Sequence, residues 1–312
     1  MAIQIAQLSH RYGQRQALSD LSLDIRAQEI FAFLGPNGGG KTTLFRVLST
    51  LLPIQAGAVH ILGRKLPDSV AEVRRRIGVV FQAPSLDKKL TVVENIRYQA
   101  ALYGLRGGLL RSRIGEMLDQ LGLSDRANER TESLSGGLRR RVELAKGMIH
   151  RPQVLLLDEP STGLDPGARI DLWNYLRRLR SEFGVTIVLT THLLEEADKA
   201  DRIAILNQGK LVALDTPDRL RASVGGDSIT ITTESPAELI RDIRARFDVA
   251  ATDVEGRVRL ELADGHQWVS KLVEAFPQPI QSITLGKPTL EDVFIDKTGH
   301  RFWREAGEST DA

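Results

Sequence analysis

Nine consecutive residues, Gly35, Pro36, Asn37, Gly38, Gly39, Gly40, Lys41, Thr42 and Thr43, follow the apolar run EIFAFL directly. Their order satisfies the pattern G-x-x-x-x-G-K-T, in which a glycine-rich turn joins a strand to a helix and cradles phosphate. Gly35, Gly38, Gly39 and Gly40 let backbone amides approach phosphate oxygens, with Pro36 and Asn37 completing the nucleotide-binding loop. Lys41 can reach the outer phosphates, Thr42 can ligate Mg²⁺, and Thr43 supports the nucleotide end. A plain glycine turn capping a helix would leave the order of the whole loop unexplained.

A second cluster of chemistry lies in VLLLDEP, where Asp158 and Glu159 end an apolar strand. At a sheet edge these carboxylates can meet the phosphate loop. Asp158 suits Mg²⁺, directly or through water, while Glu159 could orient or activate the water that attacks a γ-phosphate. An acidic pair on an ordinary strand end is the alternative, and the upstream Lys41 and Thr42 weigh against it.

With both clusters in place, the chain resembles an ATP-binding-cassette ATPase over residues 1 to about 220. The order carries the resemblance: the loop at 35–42, Gln82, LSGG at Leu134–Gly137, Asp158 and Glu159, STGLD at Ser161–Asp165, and His192. The resemblance implies ATP with Mg²⁺ and places Gln82 at a moving junction, sensing Mg²⁺, water and a transporter interface. It implies that Tyr12 stacks on adenine, although a half-buried tyrosine supporting the first sheet is an open alternative. It makes His192 a contact to the γ-phosphate that helps to position the water.

LSGGLRRR reads independently as a glycine turn feeding an amphipathic helix, whose backbone donors could recognise phosphate or merely start the helix. The resemblance adds that Ser135, Gly136 and Gly137 face ATP held by an opposite, identical subunit. It also adds that Asp165 couples the two nucleotide sites, the alternative being a helix cap before PGARIDL. Leu138 stands where many family members have Gln, so that glutamine's contact does not transfer. Arg139–Arg141 form either an electropositive nucleotide or acidic-partner surface or a solvated helix face with local salt bridges, and Arg74–Arg76 form either a basic patch for RNA or anionic lipid or a plain charge run.

The elements that must position these groups alternate between short β-rich runs and helical patterns. LSLDI and EIFAFLG precede KTTLFRVLSTLL, and QVLLLDE precedes ARIDLWNYLRRLRSEFG and VTIVLTTH. The fold class expected is α/β: a P-loop ATPase cassette with an antiparallel β portion and a helical subdomain at 83–150. After the cassette, 1–220, residues 221–302 parse as a small α+β module of βαββαβ order, and 303–312 as a flexible tail. Charge divides at the same place: 31 basic and 24 acidic residues up to Leu220, net +7, against 11 and 16 beyond, net −5.

Composition excludes several classes. The 312 residues carry no cysteine, so disulfides, thiolate nucleophiles and cysteine-bound metals are absent, and the histidines outside the motif set lack metal-ligand spacing. The overall charge of +2 gives no reason to expect direct nucleic-acid binding. Neither a secretory signal at MAIQIAQLSHRYG nor an apolar stretch of spanning length is seen. The expectation is a peripheral protein on the cytoplasmic face of the membrane, held there by separate transmembrane permease subunits.

TLEDVFIDKTGHRF at 289–302, together with LSGGLRRRVELAKGMIHRP, resembles the ATP-binding subunits of bacterial drug, antibiotic or lipooligosaccharide exporters. The distal segment also reads as a short amphipathic helix packed through Leu290, Val293 and Phe294. The function expected is the ATP-hydrolysing motor of an export transporter. The rivals are a non-export cassette on another membrane complex, a soluble cassette acting on nucleic-acid machinery, and a nonenzymatic nucleotide-binding module, which would not need Glu159.

Overall fold

The computed structural model describes residues 1–254, 256–262, 264–299 and 302. Two compact units divide between Leu214 and Asp215. In the first unit, β1 (Ile3–Tyr12) and β2 (Arg15–Ile25) form a hairpin, and β3 (Ile30–Leu34) follows it. Next come α1 (Lys41–Leu48), β4 (Ala56–Ile61), β5 (Arg64–Leu66), α2 (Val70–Arg74) and β6 (Ile77–Val80).

The segment expected to be a helical insertion holds α3 (Val92–Leu102), α4 (Gly107–Gln120) and α5 (Gly136–Met148). Thr91 starts α3 through a reciprocal capping box with Glu94, which satisfies two donors that a helix start leaves open. The α/β pattern then resumes with β7 (Val154–Asp158), α6 (Pro166–Phe183), β8 (Thr186–Thr191), α7 (Leu194–Ala197), β9 (Arg202–Asn207) and β10 (Lys210–Asp215).

Two sheets build this unit. The antiparallel one has order β2-β1-β4-β5, and the second has order β10-β9-β3-β8-β7-β6. Within the second, β6, β7, β8, β3 and β9 pair in parallel, which explains why Ile30–Leu34, Val154–Asp158 and Thr186–Thr191 are buried at every position. Parallel pairing also brings their carboxyl ends to one edge, where ligands of open α/β sheets bind. Register places Leu34 beside Thr191, Asp158 beside Thr190, and Val80 beside Leu157. The residues that follow β3, β6, β7 and β8 therefore meet at one edge.

The second unit holds α8 (Pro217–Val224), β11 (Asp227–Thr232), α9 (Pro236–Phe247), β12 (Ala251–Val254), β13 (Arg257–Leu262), α10 (Gly265–Ala275), β14 (Ser282–Gly286) and α11 (Leu290–Thr298). From β11 to β14 the order is βαββαβ, and the strands pair antiparallel as β12-β13-β11-β14. Ile229, Ile231, Val258 and Leu260 from the sheet and Leu239, Ile243 and Leu272 from the helices form its core. Leu290, Val293 and Phe294 of α11 are buried, and the Phe294 ring meets Phe302 edge-on at 4.9 Å. The boundary expected at residue 220 falls inside α8, where Leu220 is buried. The expected tail at 303–312 lies outside the described residues.

Candidate functional site: a phosphate loop facing a held carboxylate

The phosphate loop runs from the end of β3 into α1. A side chain at Gly35 would put a Cβ 2.3 Å from the Leu206 carbonyl oxygen, so the loop lies against β9 closely enough to exclude any larger residue. Gly40, the N-cap of α1, has φ 103°, a conformation that glycine adopts without strain. The helix dipole and the free amides of the first turn therefore point into the loop. Lys41 is 4% exposed, and its ammonium donates to the Gly35 and Pro36 carbonyls at 2.7 and 3.0 Å. Burial pushes its pKa down, and the Glu159 and Asp158 carboxylates oppose that shift.

A cleft beside this loop brings together Tyr12, Asn37, Gly38, Gly40, Lys41, Thr42, Thr43 and Glu159. Gly35, Pro36 and Gly39 form the tight backbone behind it, where the Gly39 amide donates to the Pro36 carbonyl at 3.0 Å. Arg15 also lines the cleft, a residue for which the sequence reading gave no role. It pairs directly with Tyr12 across the hairpin of β1 and β2, so the turn at Gly13 places both on one rim. Tyr12 is 43% exposed, and its ring meets His10 edge-on at 4.9 Å.

Across the cleft, Asp158 is buried, and its Oδ1 accepts from Thr190 Oγ1 at 2.6 Å. Burial pushes its carboxyl above the usual range, against the lowering effect of that hydroxyl. Glu159 has φ 44°, rare for a residue with a side chain and a cost of about 1–3 kcal/mol. Its amide is fixed by the Thr190 carbonyl at 3.2 Å and by Thr190 Oγ1 at 3.0 Å. Two donors hold the carboxylate by Oε2, Gln82 Nε2 at 2.9 Å and Thr162 Oγ1 at 3.3 Å, while His192 Nδ1 lies 3.1 Å from Oε1. Gln82, Glu159 and His192 thus meet from the ends of β6, β7 and β8.

Beneath them lies Glu196, 3% exposed, which accepts from Ser161 and from Thr191 Oγ1, the latter at 2.8 Å. Burial pushes its carboxyl up, partly countered by the Thr191 hydroxyl. This carboxylate ties the turn after Glu159 to the residue before His192.

Ser135, Gly136, Gly137 and Asp165 lie outside the cleft. Ser135 and Gly136 are exposed, and Ser135 caps α5 by accepting from the Leu138 amide at 3.3 Å. Asp165 caps α6, accepting from the Ala168 amide at 2.9 Å, with Pro166 at the first helical position. The basic run after Gly137 departs from the picture of a solvated face. Arg141 pairs with Asp171 at 2.6 Å, but Arg140 is buried, because its guanidinium satisfies backbone carbonyls of the loops at the site.

Residues 18–162 match the ABC transporter family, and residues 216–298 match the C-terminal domain of DrrA1-3-like ATP-binding proteins. The chain is 38% identical over 309 residues to the daunorubicin resistance ATP-binding protein DrrA2 of Streptomyces coeruleorubidus, covering 96% of each. It is 36% identical over 301 residues to the Nod factor export ATP-binding protein I of Rhizobium johnstonii, covering 96% of this chain and 95% of that one. Among solved structures, a dimeric ATP-binding cassette in a post-hydrolysis state bound to ADP and Pi superposes with a TM-score of 0.63 at 29% identity, over 69% of this chain and 98% of that one. Together with the phosphate loop at the sheet edge, these likenesses establish that the chain belongs to the ABC transporter family, as an ATP-hydrolysing, nucleotide-binding subunit.

Proposed function

We propose that the chain is the motor of an export transporter and hydrolyses ATP to ADP and phosphate between two copies of itself. The observation that carries the reading is the held carboxylate: Glu159 faces the phosphate loop with Oε2 bonded by Gln82 and Thr162 and with His192 Nδ1 3.1 Å from Oε1. A module that only bound nucleotide would not need a strained, tethered carboxylate there.

ATP lies with its phosphates on the amides of Gly38, Gly39 and Gly40 and on Lys41, and with its base at Tyr12. Arg15, on the same rim, adds a second cation toward the nucleotide. Ser135–Gly137 of the opposite copy close over the outer phosphate, and Asp165 couples the two sites. Glu159 accepts a proton from a water molecule, whose oxygen attacks the γ-phosphorus as the bond to the bridging oxygen breaks. Gln82 and His192 hold that water and the phosphoryl oxygens in line.

The residues present fit Mg²⁺. Thr42 offers a hydroxyl and Asp158 a carboxylate, while Gln82 bonds Glu159 through its amide nitrogen and so keeps its amide oxygen as a ligand. No group of three or more His, Cys, Asp or Glu residues that could hold a metal is present among the described residues, so the ion would complete its shell with phosphate oxygens and water. When bound it neutralises phosphate charge.

Among the described residues no helix is long and apolar enough to cross a membrane, so permease subunits would carry the cargo and hold this chain at the cytoplasmic face. Export of drug-like, antibiotic or lipid-related cargo follows the named relatives. Affinity isolation from native membranes tests it. Co-purified membrane proteins that drive ATP-dependent efflux in vesicles agree with the proposal, and recovery with ribosomes or nucleic acid alone contradicts it.

A further inference from the structure

The helix that begins at Ser135 carries one buried cation. Arg140 lies five residues on, about one and a half turns along α5. Its Nη1 donates to the Phe81 carbonyl at 2.8 Å, its Nε to the Pro160 carbonyl at 2.8 Å, and its Nη2 to the Asp158 carbonyl at 3.4 Å. These acceptors are significant by position. The Phe81 carbonyl belongs to the peptide that leads into Gln82, and the Asp158 and Pro160 carbonyls flank Glu159. One planar guanidinium therefore joins a backbone carbonyl beside Gln82 to two that flank Glu159, and the bond between those two side chains at 2.9 Å closes the circuit.

We infer that Arg140 is a positioning residue for hydrolysis, fixing Gln82 and Glu159 relative to each other and to the turn at Ser135. The fork geometry explains the residue type: a lysine ammonium is a point donor and cannot reach three separated carbonyls at once. Burial disfavours its charge, and the nearby Glu143 and Asp158 carboxylates oppose that effect, so the cation is kept where apolar packing would be the simpler choice. A shift of α5, such as closure on a second copy would impose, is transmitted through Arg140 to both sides of the carboxylate. The inference rests on the proposed roles of Glu159 and Gln82.

The test measures steady-state ATP hydrolysis, binding of a fluorescent ATP analogue and thermal unfolding of the full chain, for Arg140→Met, Arg140→Lys, Gln82→Ala and the Arg140→Met/Gln82→Ala pair. Arg140→Met is expected to lower kcat about tenfold or more while KM and analogue affinity stay within about threefold, with Arg140→Lys intermediate. Because Arg140 acts through Gln82, the double variant loses less than the product of the single losses. The inference is overturned if folded Arg140→Met keeps kcat within about twofold, or if the two losses multiply as independent effects. Should Arg140→Met fail to fold, Arg140→Lys decides alone, by a lowered or a wild-type kcat. Glu159→Gln, run in parallel, separates the two levels: if it still turns over, the role of Glu159 fails, whatever Arg140 shows.

Discussion

Nδ1 of His192 lies 3.1 Å from Oε1 of Glu159, although the two residues leave the ends of different strands. Parallel pairing of β7 with β8 sets that distance, and the Glu196 contacts with Ser161 and Thr191 hold the two loops from below. A base whose orientation is fixed before substrate arrives needs little rearrangement in the transition state. His192→Ala is therefore expected to lower kcat by at least about tenfold with a smaller change in KM. Steady-state hydrolysis of the purified chain measures both.

Lys41 lies among backbone carbonyls of its own loop, and phosphate would replace them as its partners. Lys41→Met removes a charge-assisted contact worth about 1.5–3 kcal/mol, so nucleotide affinity should fall about tenfold or more. Titration with a fluorescent ATP analogue checks the figure, and unchanged affinity would remove Lys41 from the site.

Ser135 and Gly136 are exposed and do not line their own chain's cleft, as a composite two-copy site requires. Ser135→Arg and Lys41→Met should each be inactive alone. Mixed, they form pairs in which one site combines an intact phosphate loop with an intact Ser135 turn. Hydrolysis should return on mixing, and continued inactivity of a confirmed mixed dimer would count against the composite site.

A pH effect on stability follows from His150. Its Nε2 donates to the Ile77 carbonyl at 2.9 Å, and its ring stacks on Tyr103 at 3.7 Å. Burial pushes its pKa below the usual 6.5, the Ile77 carbonyl opposing. As pH falls the unfolded chain takes up the proton first, so the stability held by neutral His150 is complete above about 6.5 and declines below it. His150→Phe keeps the stack and cannot titrate. Its melting temperature should fall less than that of the wild type between about pH 7.5 and pH 5.5.

The fold was legible where periodicity and glycine placement act locally. EIFAFL, VLLLD and TIVLTT read as strands because each is dominated by apolar or β-branched residues, as a doubly covered parallel sheet demands. The second unit was readable in the same way, as β11 to β14 with α9 and α10 between them. The less legible parts depend on tertiary meetings. Nothing in GLRRRVEL separates buried Arg140 from half-buried Arg139, because the acceptors lie 59 and 20 residues away in sequence. Thr162 and Thr190 are likewise ordinary residues until the parallel edge brings them to Glu159, and Glu196 until Ser161 and Thr191 meet on it.

The central claim is that Glu159 takes the proton from water, separately from the groups that bind nucleotide. Single-turnover hydrolysis by Glu159→Gln, paired with ATP binding in the same preparation, tests it most directly. Binding within about threefold of wild type with hydrolysis reduced about a hundredfold or more is the predicted result. Hydrolysis at the wild-type rate in a confirmed dimer would contradict it.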